Sequence, residues 1–202
     1  MLVVHYTGMQ SAEAALARLC DPAAKVSAHY LIDEDGKVHR LVAEDKRAWH
    51  AGLAHWRGQR NINARSVGVE LANPGHEFGY RPFPEPQMTA LIALAGDILS
   101  RHAIPARNVV GHSDVAPDRK LDPGELFDWP RLAAAGIGLW PGESSADGTD
   151  RDIRALLTDY GYDPSARQSL SAFQRHFRPA RIDGIADEES RRILSALLAE
   201  AG

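Results

Sequence analysis

The chain has 202 residues, an apolar fraction of 44% and a formal net charge of −4, which predicts a globular protein with one large domain or a medium and a small one. Basic and acidic residues are interspersed, so the sequence gives no indication of the basic face that nucleic-acid binding requires, and no nucleic-acid partner is expected. The single cysteine, Cys20, excludes an internal disulfide framework.

The first forty residues predict three strands and a helix. Residues 1–7 form a short apolar run without charges, which is typical of a buried strand. Residues 11–19 follow with helical propensity. Two more strand patterns, 27–33 and 37–42, are joined by turn-forming residues and predict a hairpin.

Residues 43–65 have no period and predict a loop with a helical turn at most. The loop concentrates aromatic and polar side chains, namely Trp49, His50, His55, Trp56, Arg57 and Asn63. Such a loop suits the wall of a groove for a sugar–peptide ligand. The alternative is a loop that its tryptophans hold against the core.

The next segment returns to strand and helix patterns. Residues 66–72 predict a buried strand that contains Glu70, and a carboxylate among apolar neighbours is costly unless it is paired or functional. Apolar residues between Met88 and Leu99 follow helical spacing and predict an amphipathic helix on the sheet. Residues 108–111 predict the last strand, before a short helix around 129–134.

Residues 138–148 are rich in turn-formers and predict a linker. Three short helical patterns follow, at 152–160, 165–177 and 188–198. We expect their apolar residues to form a common core of their own, made of Leu156, Leu157, Tyr160, Leu170, Phe173, Phe177, Ile185, Ile193, Leu194 and Leu197.

The loop that follows the last strand carries the main functional pattern. It holds His112, Lys120 and Asp122, and His5 at the end of the first strand offers a third metal ligand. Two imidazoles and one carboxylate suit a zinc ion with an open position for water. On spacing alone the pattern is loose: a loop histidine is often a capping residue, Asp122 begins an ordinary turn sequence, and Asp114 or Asp118 could replace Asp122 as ligand.

Six sequence blocks in order strengthen this interpretation. They are Val4-His-Tyr-Thr7, Ser27-Ala-His-Tyr-Leu-Ile32, Ala48-Trp-His-Ala-Gly52, Ser66-Val-Gly-Val-Glu-Leu71, Gly111-His-Ser-Asp-Val-Ala-Pro117 and Lys120-Leu-Asp-Pro-Gly124. From about Leu2 to about Asp128 the chain resembles the zinc-dependent N-acetylmuramoyl-L-alanine amidases of the type-2 amidase family, which is related to peptidoglycan recognition proteins.

The resemblance implies roles for individual residues. It implies one Zn²⁺ per chain held by His5, His112 and Asp122, with Glu70 as general acid/base and Lys120 stabilising the oxyanion. For substrate binding it favours Trp49 and His50, and Arg57, Asn63 and His29 are further candidates, His29 being equally compatible with a satisfied core histidine. In some relatives a tyrosine precedes this histidine, where the present chain has Ala28.

The implied architecture is α/β, with a mixed central β-sheet flanked by helices and followed by a small three-helix domain. The expected divisions are a zinc amidase domain at 1–138, a linker at 139–149 and a helical domain at 150–202. The blocks Ser171-Ala-Phe-Gln-Arg-His-Phe177 and Ile182-Asp-Gly-Ile-Ala-Asp187 resemble the peptidoglycan-binding domain found beside many wall hydrolases. The alternative for this segment is a helical appendage that only packs on the catalytic domain.

The expected activity is hydrolysis, by a zinc-activated water, of the amide between N-acetylmuramic acid and L-alanine in peptidoglycan or muropeptides. The alternatives are a non-catalytic peptidoglycan-binding protein on the same fold and a zinc peptidase of the stem peptide. No run is apolar enough to span a bilayer, and the first residues lack a secretion signal. The expected location is the cell envelope if an address segment precedes this chain, and the cytoplasm otherwise.

Overall fold

The computed structural model describes residues 1–141 and 150–201. Most of the predicted linker, residues 142–149, lies outside the described residues, as does Gly202. Among the described residues, no helix is both long and apolar enough to cross a membrane.

Seven strands form two sheets within residues 1–141 and 150–201. Their bounds are β1 Leu2–Tyr6, β2 Tyr30–Ile32, β3 Val38–Arg40, β4 His55–Trp56, β5 Gln59–Arg60, β6 Val67–Leu71 and β7 Val109–Gly111. The main sheet has the order β3-β2-β6-β1-β7, and β4 and β5 form a separate two-stranded ribbon. Strands β2, β6, β1 and β7 are parallel, whereas β3 is antiparallel to β2, so the predicted mixed sheet is confirmed.

Eight α-helices lie in the described part of the chain. Their bounds are α1 Ala12–Cys20, α2 Gly75–Phe78, α3 Glu85–Arg101, α4 His112–Val115, α5 Trp129–Ala134, α6 Ile153–Tyr160, α7 Ser169–Phe177 and α8 Glu188–Ala201. Several begin at capping side chains, as Ser11 does for α1 and Asp152 for α6, each accepting a hydrogen bond from a backbone N–H in the first turn.

One face of the main sheet is covered by α3. Its apolar residues at helical spacing, including Met88, Leu91 and Ile98, are buried in a cluster with residues from β1, β2 and β6. The Gln87 side chain fixes the start of this helix, because its amide nitrogen donates to the carbonyls of Ile32 and Ala72. The predicted amphipathic helix is therefore a core element.

The opposite face of the sheet is covered from the other end of the chain. Val3 and Val110 project onto this face and share one buried cluster with Trp56 and with residues of α6, α7 and α8, such as Leu156 and Phe173. The expectation that the C-terminal helices form a core of their own is therefore wrong, because the sheet supplies part of that core. The predicted member Ile185 is 57% exposed, so it lies outside it.

The structure adds short elements that the sequence pattern did not indicate. The ribbon β4–β5 lies inside the predicted loop 43–65, and its two-residue strands are too short to show a period. The helix predicted over 165–177 begins only at Ser169. The division of the chain at 138 and 150 remains a prediction.

Candidate metal centre and active site

The central three strands bring the candidate residues into one row. In the parallel register, His5 on β1 lies opposite Glu70 on β6, and Val4 lies opposite Gly111 on β7, the residue before His112. All three side chains therefore stand at the carboxyl ends of neighbouring parallel strands, where ligands bind in open α/β sheets.

His5, His112 and Asp122 converge on one buried point. The His5 Nδ1, His112 Nδ1 and Asp122 Oδ2 atoms are each 3.0 Å from the other two, and all three residues are at least 95% buried. A tetrahedral zinc with ligand distances of about 2.0–2.2 Å separates its ligand atoms by roughly 3.3–3.6 Å, so this triangle fits zinc with a small expansion. No other group of metal-ligating side chains is found among the described residues.

The hydrogen bond between His112 and Ala51 decides which ring nitrogen of His112 carries the hydrogen. Its Nε2 atom lies 3.1 Å from the Ala51 carbonyl oxygen, which can only accept, so Nε2 carries the hydrogen and donates it. The Nδ1 atom of a neutral His112 then presents a lone pair to the triangle. An imidazole whose second nitrogen donates to a carbonyl is the usual arrangement of a metal ligand.

The same reasoning applies to His5 through His50 and Ser66. The Ser66 hydroxyl donates to the Ile62 carbonyl, so it accepts from His50 Nε2–H at 3.2 Å. His50 Nδ1 is then an acceptor, 3.0 Å from His5 Nε2, which must carry the hydrogen. His5 therefore also presents the Nδ1 lone pair. Burial, followed by the charge of His112, lowers the pKa of His5 to about 4, which keeps it neutral at pH 7.

Gly68 and the side chain of Asn63 hold His50 in place. Its ring lies over Gly68 of β6, where an added Cβ atom would lie 2.5 Å from His50 Cγ. The side-chain oxygen Oδ1 of Asn63 accepts hydrogen bonds from the backbone N–H groups of His50 and Ala51. Burial, with the neighbouring imidazoles, holds the pKa of His50 well below its usual value. His50 thus holds the candidate ligand His5 in place, and Asn63 holds His50.

The loop that carries Asp122 is fixed at both ends. The Asp122 carbonyl accepts from Ser113 N–H at 2.9 Å, which ties it to the turn that begins at His112. Tyr80 donates its hydroxyl hydrogen to the Pro123 carbonyl and accepts from Leu126 N–H. Gly124 has φ +87°, and a Cβ there would lie 2.3 Å from the Tyr80 hydroxyl oxygen, so the loop requires glycine at this position.

Glu70 is a buried carboxyl group with an unused oxygen. It is 8% exposed, and its Oε2 atom finds no hydrogen-bond partner among the described residues. Burial and the charge of Asp122 raise the pKa of Glu70 well above its usual value, and Lys120 partly opposes this. A raised carboxyl pKa beside a candidate metal site is typical of a general acid/base.

Lys120 is half-buried and lies between His112 and Asp122 in the chain. Its positive charge lowers the pKa of His5 and partly offsets the rise in the pKa of Glu70. The structure therefore brings His5, His112 and Asp122 together and sets Glu70 beside His5 in the strand register, whereas the catalytic roles that the resemblance implies for Glu70 and Lys120 stay predictions.

The residues predicted to bind substrate are dispersed. The Trp49 side chain is 51% exposed. His29 is fully buried, accepts a hydrogen bond from Gly68 N–H and donates one to the Lys46 carbonyl. It is therefore a core histidine with both ring nitrogens satisfied. Arg57 donates to Asn108, which precedes β7, and so lies toward the strand starts, away from the carboxyl ends that carry the ligands. Trp49 is exposed and precedes His50 in the chain, and its contact with a substrate stays a prediction.

The C-terminal blocks that resemble a wall-binding domain form an internal network. Gln174 accepts from the N–H groups of Asp183 and Gly184, and the buried Arg178 pairs with Asp183, Asp187 and Glu189. The polar residues of the second block are therefore used to shape its own loop.

The comparisons with known proteins agree with this geometry. The family description Amidase_2: N-acetylmuramoyl-L-alanine amidase matches residues 1–125. N-acetylmuramoyl-L-alanine amidase AmiD of Escherichia coli is 40% identical over 232 aligned positions, covering 100% of this chain and 83% of AmiD. The 1,6-anhydro-N-acetylmuramyl-L-alanine amidase AmpD of Enterobacter cloacae is 41% identical over 109 positions, covering 54% of this chain and 56% of AmpD.

Solved structures resemble the whole described fold. A complex of E. coli AmiD with the substrate anhydro-N-acetylmuramic acid-L-Ala-D-γ-Glu-L-Lys has a TM-score of 0.88 at 40% identity and covers 100% of this chain and 89% of that one. AmpDh3 of Pseudomonas aeruginosa in complex with an anhydromuramic pentapeptide has a TM-score of 0.91 at 34% identity and covers 99% and 91%.

Proposed function

This chain belongs to the N-acetylmuramoyl-L-alanine amidase family, and we propose that it hydrolyses the amide between N-acetylmuramic acid and L-alanine of a muropeptide by means of a zinc ion. The observation that carries this proposal is the buried triangle of His5, His112 and Asp122, whose three lone-pair atoms meet 3.0 Å apart. Such a set of acceptors without a donor is stabilised by a cation.

We assign zinc to this triangle because two neutral imidazoles and one carboxylate are ligands of catalytic zinc sites. When bound, zinc lowers the pKa of a water molecule toward neutrality and polarises a carbonyl group. His50 and the Ala51 carbonyl orient the two imidazoles from their outer nitrogens.

Glu70 is proposed to carry the proton. It stands in the same row as His5 and its Oε2 atom is free to accept. A carboxyl group with a raised pKa can take a proton from the attacking water and return it to the leaving nitrogen of L-alanine. Lys120 is proposed to offset the negative charge that develops on the carbonyl oxygen.

The substrate is proposed to be a muropeptide. Two similar structures hold anhydro-muramoyl peptides, which supports this class of ligand. We propose that Trp49 contacts the glycan or peptide, since it is half exposed, precedes His50 in the chain and carries an aromatic ring suited to stacking on a sugar. Residues 150–202 are proposed to bind the wall polymer.

The test is mass spectrometry of a defined anhydro-muropeptide after incubation with the zinc-loaded protein and with the chelated protein. We expect one cut, which releases the free peptide with L-alanine at its amino terminus, only in the zinc-loaded sample. His112→Ala is the control that removes a ligand. Binding of the muropeptide without any cut would make the chain a peptidoglycan-recognition protein, and a cut within the stem peptide would make it a peptidase.

A further inference from the structure

The C-terminal helices contact the turn that carries His112 through one buried carboxylate. Asp114 is 1% exposed and lies two residues after His112 in the short helix α4. Its Oδ2 atom accepts from Gly111 N–H at 2.7 Å, which closes the start of this helix. The carboxylate thus sets the shape of the turn from which His112 projects.

Two further donors to Asp114 come from far along the chain. The Tyr162 hydroxyl donates to Asp114 Oδ1, and His176 Nδ1 donates to Oδ2, each at 2.7 Å. Tyr162 follows α6 and His176 is on α7, and both are at least 96% buried. A buried carboxylate that loses such a donor has no water to replace it, so these bonds have a strong effect on its position.

The His176 ring is itself held firmly. It stacks on Trp129 with ring centroids 3.8 Å apart and on Phe177 at the same distance. The neighbouring Arg175 lies 3.4 Å from Glu125, which is three residues after Asp122. Helix α7 therefore contacts the chain just after His112 and again just after Asp122.

We propose that Tyr162 and His176 are positioning residues for the amidase reaction, which act through Asp114 to hold the His112 turn in the geometry that binds the metal. This inference rests on the proposed metal site. It gives residues 150–202 a part in catalysis that is separate from any contact with the wall polymer. The alignment to AmpD spans 109 positions, too few to include both His5 and His176, so the proposal concerns chains that carry this C-terminal segment.

The variants separate the donor from the packing. Tyr162→Phe removes only the hydroxyl group, and Tyr160→Phe is its matched control, because Tyr160 lies in the same buried cluster without a described bond to Asp114. His176→Phe keeps an aromatic ring between Trp129 and Phe177 but removes the donor. His176→Asn restores a donor near the Nδ1 position but loses the ring.

The first measurement is the zinc dissociation constant of each full-length variant, by competition with a chromophoric chelator. We expect it to rise about tenfold or more in Tyr162→Phe and in His176→Phe, and kcat to fall with little change in KM. We expect wild-type values in Tyr160→Phe and near-wild-type zinc binding in His176→Asn, even though that variant melts at a lower temperature. A merely structural role predicts the opposite order, with zinc binding following thermal stability.

The second measurement does not depend on zinc. Amide hydrogen exchange across residues 111–115 of the metal-free protein is expected to be at least about tenfold faster in Tyr162→Phe and His176→Phe than in Tyr160→Phe. Equal exchange in all variants overturns the proposal. If the wild-type protein binds no zinc, the proposed function fails, and the exchange rates alone decide whether the C-terminal helices position this turn.

Discussion

At the scale of single residues, Glu70 combines a high burial with a hydrogen-bonding oxygen that the described residues leave unused. A group of this kind is costly to ionise in the folded protein, because desolvation and the charge of Asp122 act in the same direction. The cost is a property of the metal-free protein and can be measured without any assay of activity.

We predict that Glu70→Gln stabilises the metal-free protein, and increasingly so as the pH rises above 4.5. The folded pKa of Glu70 is raised, so the unfolded chain loses this proton first and the wild-type protein loses stability with rising pH, whereas glutamine does not titrate. Urea denaturation over a pH series, with chelator present, measures the difference. The exposed Glu77→Gln is the control, and stability curves that stay parallel for wild type and Glu70→Gln would contradict the prediction.

His50 gives a second prediction at this scale. His50→Phe keeps a flat ring over Gly68 but leaves the His5 Nε2–H without its acceptor. We expect the zinc dissociation constant to rise by about 10–100-fold, as for other outer-shell partners of metal ligands. Trp49→Ala should instead leave zinc binding unchanged and raise KM. Unchanged zinc binding in His50→Phe would remove His50 from the support of the site.

At the scale of elements, strand β6 joins the sheet to the site through a glycine. Gly68→Ala would bring a Cβ atom to 2.5 Å from Cγ of the buried His50 ring, so the ring or the β6 backbone would have to shift. We predict a loss of about 1–3 kcal/mol in the free energy of unfolding, together with weaker zinc binding.

Gly96→Ala in helix α3 is the matched control for this prediction. An added Cβ there meets no atom within 4 Å, so we expect a gain of about 0.5–1 kcal/mol from the better helix former. Thermal and urea denaturation of the two variants measure both effects. A neutral or stabilising Gly68→Ala would show that the His50 ring can move away from β6.

The sequence predicted the elements that have a clear period and missed those that do not. Strands β1, β6 and β7 and helix α3 are long or apolar enough to be read from local residues. Identity and order of residues also indicated the metal-ligand set, because His5, His112 and Asp122 stand in recognisable motifs. The support of His5 by His50 depends on how β6 places a glycine beside it, which is a tertiary property that no local pattern contains.

At the scale of the whole molecule, one apolar cluster joins Val3 and Val110 of the sheet to helices α6, α7 and α8, and so the stability of a shortened chain depends on these helices. We predict that a chain ending at Pro141 does not fold stably, since Val3, Trp56, Val110 and their neighbours would lose their cover. Burial of each such side chain contributes about 1.5–3 kcal/mol, against a total stability of about 5–15 kcal/mol for a domain. Circular dichroism and urea denaturation of the shortened chain test this.

A point variant in the full-length chain tests whether the lost apolar contacts, and not the missing residues as such, cause the loss of stability. Phe173→Ala in the full chain should lower the free energy of unfolding by about 3–5 kcal/mol, because Phe173 is fully buried in the shared cluster. Ile185→Ala, on the exposed side of the same segment, is the control. A shortened chain with the stability of the full one would restore the two separate cores that the sequence suggested.

The position of β1 in the middle of the sheet also constrains how the molecule is made. This strand pairs with β6 and with β7, and His5 meets His112 only across 107 residues of sequence. At the ribosome, about 5–20 residues are added each second, so roughly 5–20 s pass between the synthesis of His5 and that of His112. During this interval β1 is an apolar segment without its neighbours, a state that chaperones recognise. The proposed zinc ion could meet all three of its ligands only after β7 and the Asp122 loop have left the exit tunnel.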